Sequence, residues 1–240
     1  MYNEQNNSST SRERASTTPS LKSRKRGCKD VFNAFLVALA TYAGFFEIPV
    51  IQPTNWVPNR LVPFSKAISS RDHGQWIHFY EFDYLFERLW RNPRRYLPIF
   101  KRFNGVILPD FSLYRDMPLV MQLWNVYRSR ARGCWLQRNG MKVIANVRWG
   151  DRRTHRVCCD GISRGCTIAV GTVGALRGTE DRLYFTEGLA YVVRQLAPRA
   201  IVVYGPAPDE VFGKYRDSGI EIIHFDSETT VAHSRRREVS

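Results

Sequence analysis

The chain has 240 residues, 43% of them hydrophobic, 13% aromatic and 24% charged. That length and balance suit one domain, or at most two, with a sizeable core, and they exclude a disordered, fibrous or multi-span membrane protein. A formal net charge of +14 directs attention to polyanions, acidic partners and anionic surfaces. Five Cys, an odd and unevenly spaced set, exclude a disulfide scaffold and predict a reducing, cytoplasmic setting.

Residues 1–29 are rich in Ser, Thr, Asn and Gln and end in a basic run, Lys22, Arg24, Lys25, Arg26 and Lys29. With almost nothing apolar to bury, they are expected to form a disordered basic arm. The arm carries seven Lys or Arg against two Glu, the last fifteen residues carry three of each sign, and the body between keeps a net +9. Residues 30–226 are therefore expected to form one α/β domain, and residues 227–240 a disordered tail. Val31 to Phe46 follows a basic flank like a signal anchor, but it holds only about 16 residues and contains Asn33, Thr41 and Gly44. A membrane span needs about 20 apolar residues, so a buried helix or core segment is expected instead.

Beyond it, short β-branched runs alternate with longer amphipathic stretches. Strands are predicted at Ile48–Gln52, Trp76–Phe82, Val106–Phe111, Lys142–Trp149, Thr167–Thr172, Ala200–Gly205 and Glu221–Phe225. Near-continuous apolar runs such as IVVY and EIIHF fit strands covered on both faces, as in parallel sheets. Helices are predicted over residues 84–103, broken around Asn92 and Pro93, and over 117–137, with Asp116 as N-cap and Asn139-Gly140 as stop. Two more span residues 181–196 and 209–216. The link from Pro53 to Gln75 has no clear helix. Seven mostly parallel strands with helices between most of them predict a (β/α) barrel-like domain, with an open doubly wound sheet as the alternative.

In either architecture the ligand site lies at the carboxyl ends of the strands. Glu81, Asp83 and Asp110 fall there, and a pair of carboxylates with split pKa values suits general acid and base work, attack on a glycosidic carbon or a divalent metal. Helix capping is the competing explanation for Asp83 and Asp110. Asn146, Arg148, Trp149, Thr172 and Tyr204 are the candidate substrate-binding residues. GTVGALRG and VYGPAPDE are expected to be glycine turns rather than phosphate loops, matching neither the P-loop nor the dinucleotide fingerprint. His155, Cys158, Cys159 and Cys166 lack metal-ligand spacing and no metal is assigned; the residues name no cofactor. Arg91, Arg94, Arg95, Arg128, Arg130, Arg152 and Arg153 interleave with aromatics, making nucleic acid a candidate partner. The oligomeric state is left open.

Six motifs in fixed order, WIHFYEFDYLFERLW, GVILPDFSLYRDMP, RSRARGCWLQRNGMKVIANVRWGD, CCDGI, AVGTVG and IVVYGPAPDEVF, make the chain resemble the family catalogued as domain of unknown function 4417. The resemblance runs from about Phe45 to Phe225. It implies one intact domain and a phage, plasmid or integrated-element context, and supplies no catalytic residues. Three readings follow: an enzyme acting on nucleic acid or nucleotide at the strand ends, a non-catalytic nucleic-acid-binding or partner-binding scaffold, and membrane association through Val31 to Phe46 and the basic arm.

Overall fold

The computed structural model describes residues 30–231; the basic arm and the last nine residues lie outside them. A short antiparallel hairpin comes first, β1 (Tyr42–Ala43) and β2 (Ile48–Pro49). It is followed by β3 (Leu61–Pro63), β4 (Trp76–His78), β5 (Gly105–Ile107), β6 (Val143–Asn146), β7 (Thr167–Gly171), β8 (Ala200–Tyr204) and β9 (Glu221–Phe225). These last seven form one sheet, parallel throughout, whose spatial order is the chain order. A doubly wound sheet reverses its order at a switch point; this one never does. Its connections therefore lie on one side, and the sheet curls around the other as an incomplete barrel.

The period of two along each strand divides the core accordingly. Trp76, Ile107, Ile144, Ala169 and Val202 cluster on the inner face. Their chain neighbours Ile77, Val106, Val143 and Ala145 pack outward with the first helices, and Ile168, Val170, Ile201 and Val203 with the later ones. Gly105 admits the Trp76 indole to the interior, since a Cβ there would stand 2.4 Å from the ring.

The helices are α1 (Phe64–Ala67), α2 (Asp83–Phe86), α3 (Arg88–Arg91), α4 (Pro93–Phe100), α5 (Leu119–Arg138), α6 (His155–Cys159), α7 (Thr179–Leu196) and α8 (Asp209–Asp217). The break at Asn92-Pro93 separates α3 from α4 as expected. Gly140 and Gly219, at φ of 81° and 88°, follow α5 and α8 in the left-handed region that favours glycine. Helix α5 is buried along its middle from Arg128 to Gly133, because the β1–β2 hairpin covers the side turned away from the sheet. Gly133 lets it fit there: a Cβ would stand 2.7 Å from Ile51 and 2.9 Å from Leu108.

Several expectations need correction. Ile48–Gln52 supplies only β2, outside the parallel sheet, while the first strand of that sheet, β3, and the short helix α1 lie in the link where no clear helix was expected. Val31 to Phe46 forms a single 3-10 turn at Ala34–Val37 and then starts the hairpin; it is not a buried helix, but Leu36, Val37 and Ala40 do enter the core. Asp116 does not cap α5; Pro118 holds that position without a side-chain bond. The strand expected at Val106–Phe111 stops at Ile107, and Pro109, which lacks a donor, soon follows. Ser227, assigned to the tail, is buried, and a helical turn over 228–231 follows it.

Candidate functional site

The ends of β4, β5 and β6 are joined by one chain of polar contacts. Asp110, three residues beyond β5, is 9% exposed. Its Oδ1 accepts a hydrogen bond from Asn146 Nδ2 at 2.8 Å, and its Oδ2 pairs with Arg148 Nη1 at 2.7 Å. Asn146 Oδ1 in turn accepts from the Tyr80 hydroxyl at 3.0 Å. Asn146 and Arg148 share the inner face by the strand period, as do Trp76, His78 and Tyr80. Burial pushes the Asp110 carboxyl up; Arg148 and Asn146 pull it back, and Asp83 pushes it further up. Burial and the neighbouring Asp110 also raise the Tyr80 hydroxyl well above its ordinary value.

Asp83 opens α2. One of its oxygens accepts the Ser112 backbone N–H at 3.2 Å, tying the loop after β4 to the loop after β5. Its Oδ1 is buried without a hydrogen-bond partner among the described residues, the kind of orphan that asks for a ligand or a functional reason. Glu81 faces the same cleft, but both its oxygens accept the Ser65 N–H, at 3.1 and 3.3 Å, at the start of α1. Of the three carboxylates, Asp83 and Asp110 are the pair close enough to couple.

These residues line a cleft of about 460 Å³ with Tyr80, Tyr204, Ser112 and Glu228. A second hollow of about 680 Å³ adjoins it and contains Trp149, Arg115 and Asp181. Tyr114, Arg148, Gly171 and Val173 border both. The rim carries exposed aromatics: Phe82 and Tyr84, 73% and 75% exposed, stack at 5.9 Å and 13°, and Tyr114 stands nearby at 57%.

The substrate-binding candidates divide. Arg148 and Tyr204 line the cleft, whereas Asn146 is buried behind it and touches it only through Asp110 and Tyr80. Trp149 borders the second hollow, with Nε1 donating to the Tyr184 carbonyl and its ring against Gly188. Thr172 is buried and donates to the Tyr204 carbonyl, away from the cleft. Sequence reasoning passed over His78, Tyr80 and Ser112, although the spacing of Trp76, His78 and Tyr80 would have put all three inside. His78 is buried between Tyr80 and Tyr204, its ring 4.5 Å from that of Tyr204. Its Nδ1 accepts the Tyr80 N–H at 3.2 Å, which places the proton of the neutral ring on Nε2. Burial, assisted by Lys66, lowers its pKa to about 3.

The arginine surface shrinks. Arg128 is buried and bonded to Glu87 and Asn125, and Arg130 is buried with its guanidinium on the carbonyls of Asn146, Cys158 and Asp160. Neither can reach a phosphate, because α5 is covered on both sides. Arg91, Arg94, Arg95, Arg152 and Arg153 are exposed, the last two paired with Glu187 and Asp151. His155 packs on Tyr191, the sulfurs of Cys158 and Cys159 lie 3.9 Å apart, and Cys166 donates to the Ser163 carbonyl. Among the described residues no three His, Cys, Asp or Glu are grouped to hold a metal ion.

Fold and cleft together define an α/β protein of incomplete-barrel type with a polar, aromatic-rimmed site at the carboxyl ends of its strands. The chain belongs to the family described as Domain of unknown function (DUF4417), which matches residues 40–226. It is similar to the Gene 1 protein of Mycobacterium phage D29, 35% identical over 187 residues that cover 76% of this chain and 68% of that one. The Gene 1 protein of Mycobacterium phage L5 is likewise 35% identical over 187 residues, 76% of this chain and 80% of its own. The family is thus phage-associated. No solved structure matches, and no helix among the described residues is long and apolar enough to cross a membrane.

Proposed function

We propose that this chain is an enzyme that acts on a nucleoside, nucleotide or nucleic acid at the cleft, with Asp110 as general acid and Asp83 as the second carboxylate beside it. The observation that carries the reading is the meeting of these two carboxylates in unlike surroundings: Asp110 is pushed toward its neutral form, while Asp83 keeps one oxygen uncommitted. A carboxyl held toward its neutral form can donate a proton, and an oxygen without a partner beside it is free to meet a substrate group. Asn146 and Arg148 hold the Asp110 carboxyl in place, and Phe82, Tyr84 and Tyr114 offer flat faces to a base. Glu81, Asp83, Asp110 and Glu228 outnumber Arg148 around the cleft, so a base or sugar enters it and phosphates stay outside. Of the exposed arginines, Arg152 and Arg153 serve as outer contacts for a phosphate backbone.

A second reading, a non-catalytic partner-binding scaffold, draws on the structural duties of Glu81 at Ser65 and Asp83 at Ser112. The test is incubation of the full chain with nucleosides, nucleotides, single-stranded and double-stranded DNA and structured RNA, followed by mass spectrometry of the small products and electrophoresis of the polymers. A new product from any of them is the expected result. Salt-sensitive binding without turnover would favour the scaffold.

A further inference from the structure

The segment ahead of the barrel is unusual for the side chains it shows to solvent. Val31, Phe32, Leu39, Phe45 and Phe46 are 72%, 74%, 86%, 84% and 48% exposed. Leu39 also holds a left-handed backbone, φ 65°, as do Asn33 at 55° and Glu47 at 51°. An exposed leucine gains nothing from burial, and that conformation is costly for it, so the arrangement asks for a function. Phe45 and Phe46 form the tip of the β1–β2 hairpin, their rings in edge contact at 5.2 Å.

The two halves of the segment share one side of the molecule, because the 3-10 turn and the hairpin both pack on α5. Cations surround them. Arg94 lies over the Phe35 ring at 4.3 Å, and Arg138, the last residue of α5, donates to the carbonyls of Phe35 and Ala38. Asn33 Nδ2 donates to the Trp90 carbonyl, which brings the turn beside exposed Arg91, Arg94 and Arg95. The acidic groups of this side are few: Asp30 accepts the N–H groups of Ala34 and Phe35, Glu47 stands at the hairpin, and Asp160 lies under Gly44. In sequence, the seven basic and two acidic residues of positions 1–29 immediately precede this segment.

We propose that this face docks on an anionic lipid surface, with Phe32, Leu39, Phe45 and Phe46 entering the headgroup boundary and the neighbouring arginines held by lipid charge. Exposed aliphatic and phenyl groups ringed by cations fit that interface. A nucleic-acid strand has no use for Val31 or Leu39, which cannot stack on bases. The proposal does not depend on the activity assigned to the cleft.

The test is co-sedimentation of the full chain with vesicles of phosphatidylcholine alone and of phosphatidylcholine with about 30% phosphatidylserine. A triple variant, Phe32→Ser, Leu39→Asn and Phe45→Ser, is compared at equal concentration, with its melting temperature and circular dichroism confirming an intact fold. Wild type is expected to sediment with the anionic vesicles and to bind the neutral ones weakly, and the variant to lose at least about tenfold in partitioning. Equal binding of variant and wild type would assign the effect to the arm's charge alone and overturn the proposal. So would failure of wild type to sediment with anionic vesicles. A loss of DNA affinity in the variant with vesicle binding intact would make the face a nucleic-acid surface, and a concentration-dependent dimer abolished by the variant would make it a self-association surface; either also overturns it.

Discussion

Acidification should unfold this protein partly through His78. The folded ring titrates at about 3 instead of 6.5, because it is buried and next to Lys66. The unfolded chain therefore takes up a proton below about pH 6.5 that the folded chain refuses, and stability falls as pH falls. Each unit is worth about 1.4 kcal/mol, so the loss reaches roughly 3 kcal/mol by about pH 4 and is absent above about pH 7. His78→Asn supplies the comparison, since an amide oxygen can still accept the Tyr80 N–H while the titration disappears. The raised carboxyl of Asp110 acts in the opposite sense, contributing most at low pH and losing that contribution as pH rises, but it is common to both proteins and cancels. Urea unfolding of wild type and His78→Asn at half-unit steps from about pH 7.5 to 4 should show the wild type losing roughly 3 kcal/mol more. Parallel curves would mean that His78 titrates normally in the folded state and that the packing around it is wrong.

Other perturbations follow from single contacts. Gly105→Ala places a Cβ 2.4 Å from the Trp76 ring, and overpacking of this kind should cost about 1–3 kcal/mol in thermal unfolding; an unchanged Tm would contradict the packing of the barrel interior. Arg130→Met leaves the carbonyls of Asn146 and Cys158 without their donor, a loss of about 2–4 kcal/mol by urea unfolding, whereas wild-type stability would show that the guanidinium is not buried there. Arg152→Ala removes an ion pair whose arginine side chain is 78% exposed, and should change stability by less than about 0.5 kcal/mol. Burial and its neighbour Cys159 hold the Cys158 thiol well above its ordinary pKa, so a thiol reagent at about pH 8 should leave it unmodified in the native protein and label it in urea. Fast native labelling would place Cys158 at the surface.

The later strands were legible because parallel strands covered on both faces read as unbroken apolar runs, and each was bounded by a glycine or proline. Ala200–Tyr204, buried at every position, shows this best. The first strand of the sheet was hidden: Leu61–Pro63 is three residues long, ends in a proline and lies at an edge. Ile48 and its neighbours gave the same apolar signal but serve a hairpin on α5, and nothing local distinguishes the two uses. The arginines of α5 misled for a related reason, since Arg130 is buried by elements distant in sequence. At the site, strand-end position identified Asp83, Asp110, Asn146 and Arg148, but not which carboxylates face one another. That depends on the Ser65 and Ser112 amides, which hold Glu81 and Asp83 from other loops.

The most direct measurement compares Asp110→Asn and Asp83→Asn with wild type in whichever reaction the substrate panel reveals, with Tm taken on the same samples. Asp110→Asn keeps an acceptor for Asn146, loses the one for Arg148, which can turn to solvent because its side chain is 32% exposed, and cannot act as an acid. The expected result is a loss of at least about a hundredfold in turnover for both variants, with a small change in Tm for Asp110→Asn. Wild-type turnover in both, or a loss of activity that only follows a collapse in stability, would contradict the assignment and leave the two as stitches, Asp83 between the loops of β4 and β5 and Asp110 between those of β5 and β6.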